Sequence, residues 1–382
     1  MAKTLSQDKR YLVMYAAWAV WIAGFVVQES LYYDSLQSIV LIGRVCALLL
    51  GVLIELSYIK SYQLKDSILA AFVLCFAVSG VFADNTVLFQ GIFLCFCARR
   101  YKISDLILVA LLTTITISVI VVLSALAGIL DMGEMVTRRG ERSSLGFLWP
   151  SRLPNLILMG LWSYLVIGPG KAKTQMTVAV LVAGIIGLIV YTQTRARSPL
   201  AFLILTVLLW LAFSKKKVGG NKALTLIAPL IPVMCFAAIY VISSIYNSEV
   251  EWMVDLDRLM TNRLTFSHVA ILNNQISLFG SSQMTGVQIA NEATGYFDSA
   301  YLRLLYWFGA IPTVLFVTGL CISIYISIKK QRTMTLIVFL LASFHGMFEG
   351  QIILAYYFPA LLFMIASIDE VLAEHLEIGE KE

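Results

Sequence analysis

The stretch LILVALLTTITISVIVVLSALAGIL, residues 106–130, contains no charged side chain. As an α-helix it would extend about 37 Å, more than the roughly 30 Å hydrocarbon core of a bilayer. A helix that is apolar on every side needs an apolar solvent, and its backbone satisfies its own hydrogen bonds there. Comparable runs recur from Tyr11 to the end of the 382-residue chain. The composition agrees: 59% apolar residues, only 13% charged, and a mean hydropathy of +0.85. A water-exposed surface cannot be built from so little charge, since soluble domains carry about 25%. A soluble enzyme, a nucleic-acid-binding module and a secreted disulfide scaffold are excluded.

The pattern predicts an all-α polytopic membrane protein forming a single transmembrane domain over residues 1–382. Twelve spans are expected, at about 11–27, 36–58, 67–83, 86–98, 105–130, 155–169, 176–192, 198–214, 223–246, 300–328, 333–347 and 350–368. No internal repeat is visible, which weighs against an inverted-repeat transporter. The basic segment Met1–Arg10 is not followed by a small-residue cleavage site, so the first span is read as retained. One long polar connection, 247–299, is expected to form an extracytoplasmic cap. The six cysteines (46, 75, 95, 97, 235 and 321) lie in apolar runs without CxxC spacing and read as small buried hydrophobes.

Lysine sets the orientation. With twelve crossings and a cytoplasmic N-terminus, all fourteen lysines fall in the cytoplasmic segments 1–10, 59–66, 99–104, 170–175, 215–222, 329–332 and the tail. The positive-inside rule gives this bias, so both termini are expected on the cytoplasmic side. Arginine departs from it. Arg138, Arg139, Arg142, Arg152, Arg195, Arg197, Arg258 and Arg263 fall in outer loops or at their edges, with Arg303 and Arg44 at the outer parts of spans. Positive charge on the translocated side opposes topology, and at depth it costs roughly 2.5–3.5 kcal/mol. Guanidinium is planar, always charged and forks onto phosphate oxygens, whereas ammonium is a point charge. The alternatives are pairing with nearby acids (Glu134, Glu141, Glu251, Asp255, Asp257) or a phosphate-bearing ligand at the outer face.

Several polar constellations accompany the arginines. His345 and Glu349 are four residues apart at the end of the eleventh span, and a continuing helix would place them on one face at the membrane surface. An imidazole supported by a carboxylate is a plausible general base; a structural pair closing the helix end is the alternative. Glu29 and Asp34, flanking Leu31-Tyr32-Tyr33, are rival base candidates. Gly346 and Gly350 have GxxxG spacing, which close helix packing also explains. Asp255-Leu256-Asp257 has a spacing that can hold a divalent cation, but two acids make a weak signal and no metal or cofactor is expected. His268 reads as interfacial, and His375 sits in a solvated acidic tail.

A series of motifs follows in order: Arg142-Ser143-Ser144-Leu145-Gly146-Phe147 with Pro150 and Pro154-Asn155; Thr194-Arg195-Ala196-Arg197-Ser198; Asn262-Arg263-Leu264 with Leu278-Phe279-Gly280; Asp298-Ser299-Ala300-Tyr301-Leu302-Arg303 with Phe308-Gly309; and His345 to Glu349. From about residue 138 to 365 the chain resembles the O-antigen ligase/polymerase superfamily, and most of all the Wzy-type capsular or exopolysaccharide polymerases of Gram-positive bacteria. It departs from them at Trp149-Pro150-Ser151-Arg152, where a His or Asn often precedes the Pro-Asn, and at Ser198, often Gly.

The resemblance implies a GT-C-like helical bundle in the bacterial cytoplasmic membrane. Its activity would be a metal-independent glycosyl transfer that polymerises oligosaccharide repeat units from undecaprenyl pyrophosphate. Partners implied are the lipid-linked oligosaccharide, the growing polysaccharide, membrane lipids, a flippase and a chain-length regulator; nucleic acid is not expected. His345, supported by Glu349, would be the base, with Arg197 and Arg303 on pyrophosphate and Arg44, Arg142 and Arg263 as further ligands. Arg195, Asp298 and Tyr301 are additional candidate contacts, and Tyr246, Trp252, Phe266 and Tyr296 could stack on sugars. The alternatives are an en bloc glycan ligase and a flippase or exporter of an anionic lipid-linked glycan.

Overall fold

The computed structural model describes residues 2–137, 140–168, 173–214, 222–282 and 297–379. Arg138, Arg139, Tyr296 and several lysines counted above (171, 215, 216, 217 and 381) lie outside the described residues. In chain order the helices are α1 (Ala2–Gln28), α2 (Tyr33–Tyr58), α3 (Leu64–Phe82), α4 (Val87–Ala98), α5 (Ile103–Leu126), α6 (Arg152–Val166), α7 (Lys173–Thr194), α8 (Arg197–Phe213), α9 (Lys222–Ile227), α10 (Ile231–Ser244), α11 (Glu251–Leu259), α12 (Arg263–Asn273), α13 (Ala300–Arg303), α14 (Ala310–Lys329), α15 (Thr333–His345) and α16 (Leu361–Gly379). Strands β1 (Glu134–Thr137) and β2 (Gly140–Ser143) form an antiparallel hairpin between α5 and α6, a small exception to the all-α expectation.

Among the described residues, seven helices are long and apolar enough to cross a membrane: Lys9–Gln28, Tyr33–Ser61, Leu64–Phe82, Ile103–Leu126, Lys173–Thr194, Thr225–Ser244 and Ala310–Lys329. Three shorter apolar helices among them are Val87–Ala98, Arg197–Phe213 and Thr333–His345. The chain is an all-α membrane protein, with its polarity arranged for lipid. Ile39, Ile42, Val45, Leu49 and Leu53 of α2 are exposed, while Glu29, Glu55 and Asn155 are buried.

Two expected spans take another form. The segment expected to span 300–328 is broken: α13 and a π-helical turn, Leu304–Phe308, precede a stop at Gly309, and α14 starts afresh at Ala310. The amides of Ala310 and Ile311 donate to Ser277 O (2.9 Å) and Leu278 O (3.0 Å), so a loop caps the new helix. Arg303 therefore precedes the long apolar helix. The expected span 350–368 begins as a 3₁₀ turn, Gly350–Ile353, and becomes helical only at Leu361. Pro359 contributes: it has no amide to donate and disfavours helix in the residue before it.

The contacts divide the chain into two compact units. The first comprises residues 1–63, 93–216 and 355–363. In it α1 packs on α2 and α5, and α6 packs on α7 and α8. One end gathers Arg10, Glu55, Tyr58, Tyr62, Arg99 and Arg100. The other joins the turn after α1 to the loop before α6, through Leu31 N–Gly146 O and Leu148 N–Glu29 O, each 2.9 Å. The second unit comprises residues 64–92, 217–354 and 364–382. Its core collects Cys235, Ile239, Leu264, Phe297, Tyr301, Leu302 and Tyr306. Lys329 and Lys330 at the end of α14 meet Glu374 (2.6 Å) and Glu370 (2.5 Å) of α16. The hydrogen bond from Lys329 holds the Glu374 carboxyl below its ordinary value.

Candidate anion-binding site

The site starts from a turn. Helix α7 ends at Thr194; Arg195 adopts a left-handed backbone (φ +49°), and extended Ala196 delivers the chain into α8 at Arg197. Only Arg195 and Ala196 separate the helices, so Arg195 and Arg197 flank one tight bend. A left-handed backbone at a residue with a side chain is strained and is a feature of functional turns.

The hairpin supplies the third arginine. Thr137 faces Gly140 and Met135 faces Arg142, and side chains two apart on a strand point the same way, so Gly140 and Arg142 share a face. Gly140 has φ +96°, and a Cβ there would lie 2.5 Å from Arg195 Nη1. The missing side chain lets the Arg195 guanidinium lie against the strand beside Arg142. Together Arg142, Arg195, Arg197, Tyr191 and Thr192 line a half-open cavity of about 310 Å³. None of the five is acidic. Arg197 is exposed and has no carboxylate within 4 Å among the described residues. It is also the first residue of α8, whose unpaired first-turn amides add positive potential at the same place. Three guanidiniums and a phenol can bind a multiply charged anion through several donors at once.

The remaining first-unit candidates are more committed. Arg44 Nη1 donates to Gln28 Oε1 (2.5 Å), and its guanidinium carbon lies 4.6 Å from the Phe25 ring centroid. It reaches along the α1–α2 seam to the last residue of α1, as a long basic side chain in a membrane helix does. Glu29 is buried, paired with Arg152 Nε (2.8 Å), and accepts from Tyr356 Oη (2.7 Å). Asp34 stands in the first turn of α2. The Leu145-Gly146-Phe147 motif makes a turn: Leu145 and Gly146 have positive φ, and Phe147 is fully buried.

In the second unit the candidates form a closed ionic network. Arg263 opens α12. Its Nε meets Asp298 (3.1 Å), its Nη2 meets Glu349 (2.7 Å), and its Nη1 donates to Phe348 O. Asp257 fixes that helix start by accepting from Leu264 N (2.8 Å), Thr265 N (3.2 Å) and Thr265 Oγ1 (2.5 Å). Arg303 donates to Phe297 O (3.1 Å) and packs against Gly350, where a Cβ would lie 2.8 Å from Nη1. Tyr301 is buried and donates to Ser343 O (2.9 Å), so it serves packing rather than an accessible contact.

The expected shared face of His345 and Glu349 is not formed. Helix α15 stops at His345, and Glu349 is extended (φ −137°, ψ 138°) after a turn in which its amide bonds back to His345 O. His345 is fully buried rather than at a surface, and the Glu349 carboxylate is taken by Arg263. Gly346 and Gly350 likewise lie beyond the helix and present no common helical stripe. Asp257 works as a cap, while Asp255 is exposed and pairs with Arg258 (3.3 Å), so the two acids do not converge. Among the described residues no three His, Cys, Asp or Glu side chains come together as a metal site. His268 Nδ1 lies 2.9 Å from Ser243 O. Within the 247–299 segment, α11 and α12 are helical and Trp252 is exposed; 283–296 lie outside the described residues.

Tyr191, Thr192 and Gly140 were not among the sequence candidates. Tyr191 is four residues before Arg195, a helical spacing that could have flagged it; Gly140, between charged residues, gave no such signal. Comparison with known protein families, curated proteins and solved structures finds no match to this chain.

Proposed function

We propose that the protein is a glycosyltransferase that polymerises oligosaccharide repeat units carried on undecaprenyl pyrophosphate, at the outer face of a bacterial cytoplasmic membrane. In this reading the chain crosses twelve times with both termini cytoplasmic, and the short helices α4, α6, α8 and α15 count among the crossings. The observation that carries it is the cavity of Arg142, Arg195 and Arg197, with no acid in its lining. The donor's pyrophosphate binds there. An acceptor hydroxyl attacks the anomeric carbon, the carbon–oxygen bond to pyrophosphate breaks, and the lipid diphosphate leaves with the electron pair. Fixed guanidiniums stabilise the charge that develops on the leaving oxygen, the kind of preorganised electrostatics that lowers such barriers. The hydroxyl proton passes to a base, the role for which the resemblance nominates His345.

The test is purified protein with a defined lipid-linked repeat unit. A ladder of products identifies a polymerase, a single en bloc transfer a ligase, and lipid translocation without bond formation a flippase. Arg197→Ala is expected to abolish the ladder; full chain growth in that variant would remove the cavity from the mechanism. His345→Ala, assayed separately, decides the base.

A further inference from the structure

The first unit carries a second basic cluster at its other end, independent of the proposed transfer reaction. Helix α5 runs from Ile103 to Leu126, about 36 Å, so residues preceding Ile103 lie a bilayer's thickness from the helix end that leads towards the hairpin. Three chain segments meet there: the start of the apolar part of α1 at Lys9, the end of α2 with its 3₁₀ turn to Ser61, and the link between α4 and α5. All three border the apolar parts of helices, the depth at which lipid head groups lie.

Two guanidiniums share one ring in this cluster. Arg10 Cζ and Arg100 Cζ are each 4.9 Å from the Tyr58 ring centroid, so no more than two such distances separate them. Arg100 also lies 5.4 Å from the Tyr62 ring. At that end Glu55 accepts from Arg99 (2.7 Å) and from the Tyr62 hydroxyl. Over residues 9–10, 55–63 and 99–105 the cations are Lys9, Arg10, Lys60, Arg99, Arg100 and Lys102, against Glu55 and Asp105. Asp105 already pairs with Lys102 (3.5 Å) and accepts from Tyr15. Cations outnumber acids in these segments, and that excess favours an anion. A phosphodiester suits the place, because guanidinium can fork onto its oxygens while its flat face stays on an aromatic ring.

We infer that Arg10 and Arg100, arrayed on Tyr58, form a binding site for the head group of an anionic glycerophospholipid. The experiment uses the full chain in nanodiscs of phosphatidylcholine and phosphatidylglycerol in equal amounts, with retained lipid counted by native mass spectrometry. Wild type is expected to retain phosphatidylglycerol over phosphatidylcholine by roughly 30-fold, the scale of two basic residues at a charged interface. The Arg10→Gln/Arg100→Gln double variant should lose most of that enrichment. The Arg10→Lys/Arg100→Lys variant keeps the charge that orients the chain and should fall to a few-fold. Unchanged enrichment in the lysine variant would show that bulk charge holds the lipid, and parity in wild type would show that the cluster serves topology alone; either overturns the site. Displacement of phosphatidylglycerol by millimolar inorganic phosphate would assign the site to a free anion and overturn the lipid assignment.

Discussion

Arg197 and Arg263 are the same residue in the same local setting, with opposite consequences. Each is the first residue of a helix, α8 and α12, and each follows a tight turn with positive φ: Arg195 before one, Thr261 and Asn262 before the other. Arg197 is exposed on a cavity lined by two more arginines. Arg263 is held by Asp298, Glu349 and the Phe348 carbonyl, its side chain 18% exposed. An arginine at a helix start is thus a binding group or a structural clamp according to which distant acids reach it. Charge excess and an open wall mark the first; charge balance and burial mark the second.

The largest effect should come from the clamp. Arg263→Ala strands the Glu349 carboxylate, 5% exposed, beside a buried imidazole. Removing one partner of a buried pair costs about 3–5 kcal/mol. Thermal unfolding in detergent should show that loss, and the Arg263→Ala/Glu349→Gln double variant should lose less than the sum of the singles. A wild-type melting curve for Arg263→Ala would make this arginine as available as Arg197 and dissolve the contrast.

The cavity should respond in the reverse way. Arg197→Ala is expected to leave the unfolding midpoint unchanged, since an exposed group with no carboxylate partner contributes within about 0.5 kcal/mol. Its binding of a soluble diphosphate ester, read by calorimetry, should weaken roughly 10- to 100-fold, the range for a hydrogen bond to a charged group. Arg197→Lys should lose less, and an identical loss in both would mean that the fork, not the charge, does the binding. A destabilised Arg197→Ala would place it with the clamp.

Gly140→Ala tests the support under the cavity. The added methyl would meet Arg195 Nη1 at 2.5 Å, on a backbone with φ +96°. The left-handed conformation alone costs about 1–2 kcal/mol for an alanine. Diphosphate affinity should fall although none of the three arginines is replaced. Unchanged affinity would mean that Arg195 can bind from elsewhere, removing the hairpin from the site.

Much of this was legible from residue type and local spacing. Apolar runs located the long helices, because a bilayer demands unbroken stretches, and the arginines set apart by their loops include the three that line the cavity. What the sequence could not show depends on distant partners. Glu349, 86 residues from Arg263, looked like a support for His345 four residues away. The helix joining them stops at His345, so local periodicity misled. The interruption at Gly309 was equally hidden, since an apolar π-turn and an apolar helix have the same composition.

The smallest expected effect is a control on the same comparison. Arg258 belongs to the same segment as Arg263 and also has an acid partner, Asp255 at 3.3 Å, but the two side chains are 75% and 64% exposed. Water and salt screen such a pair, and holding two mobile side chains together offsets most of the attraction. Arg258→Ala should shift stability by no more than about 0.5 kcal/mol and leave diphosphate binding alone. A large loss on melting would mean that possession of an acid partner, rather than burial of that partner, makes an arginine a clamp here, and the distinction between Arg197 and Arg263 would have to be redrawn on pairing alone.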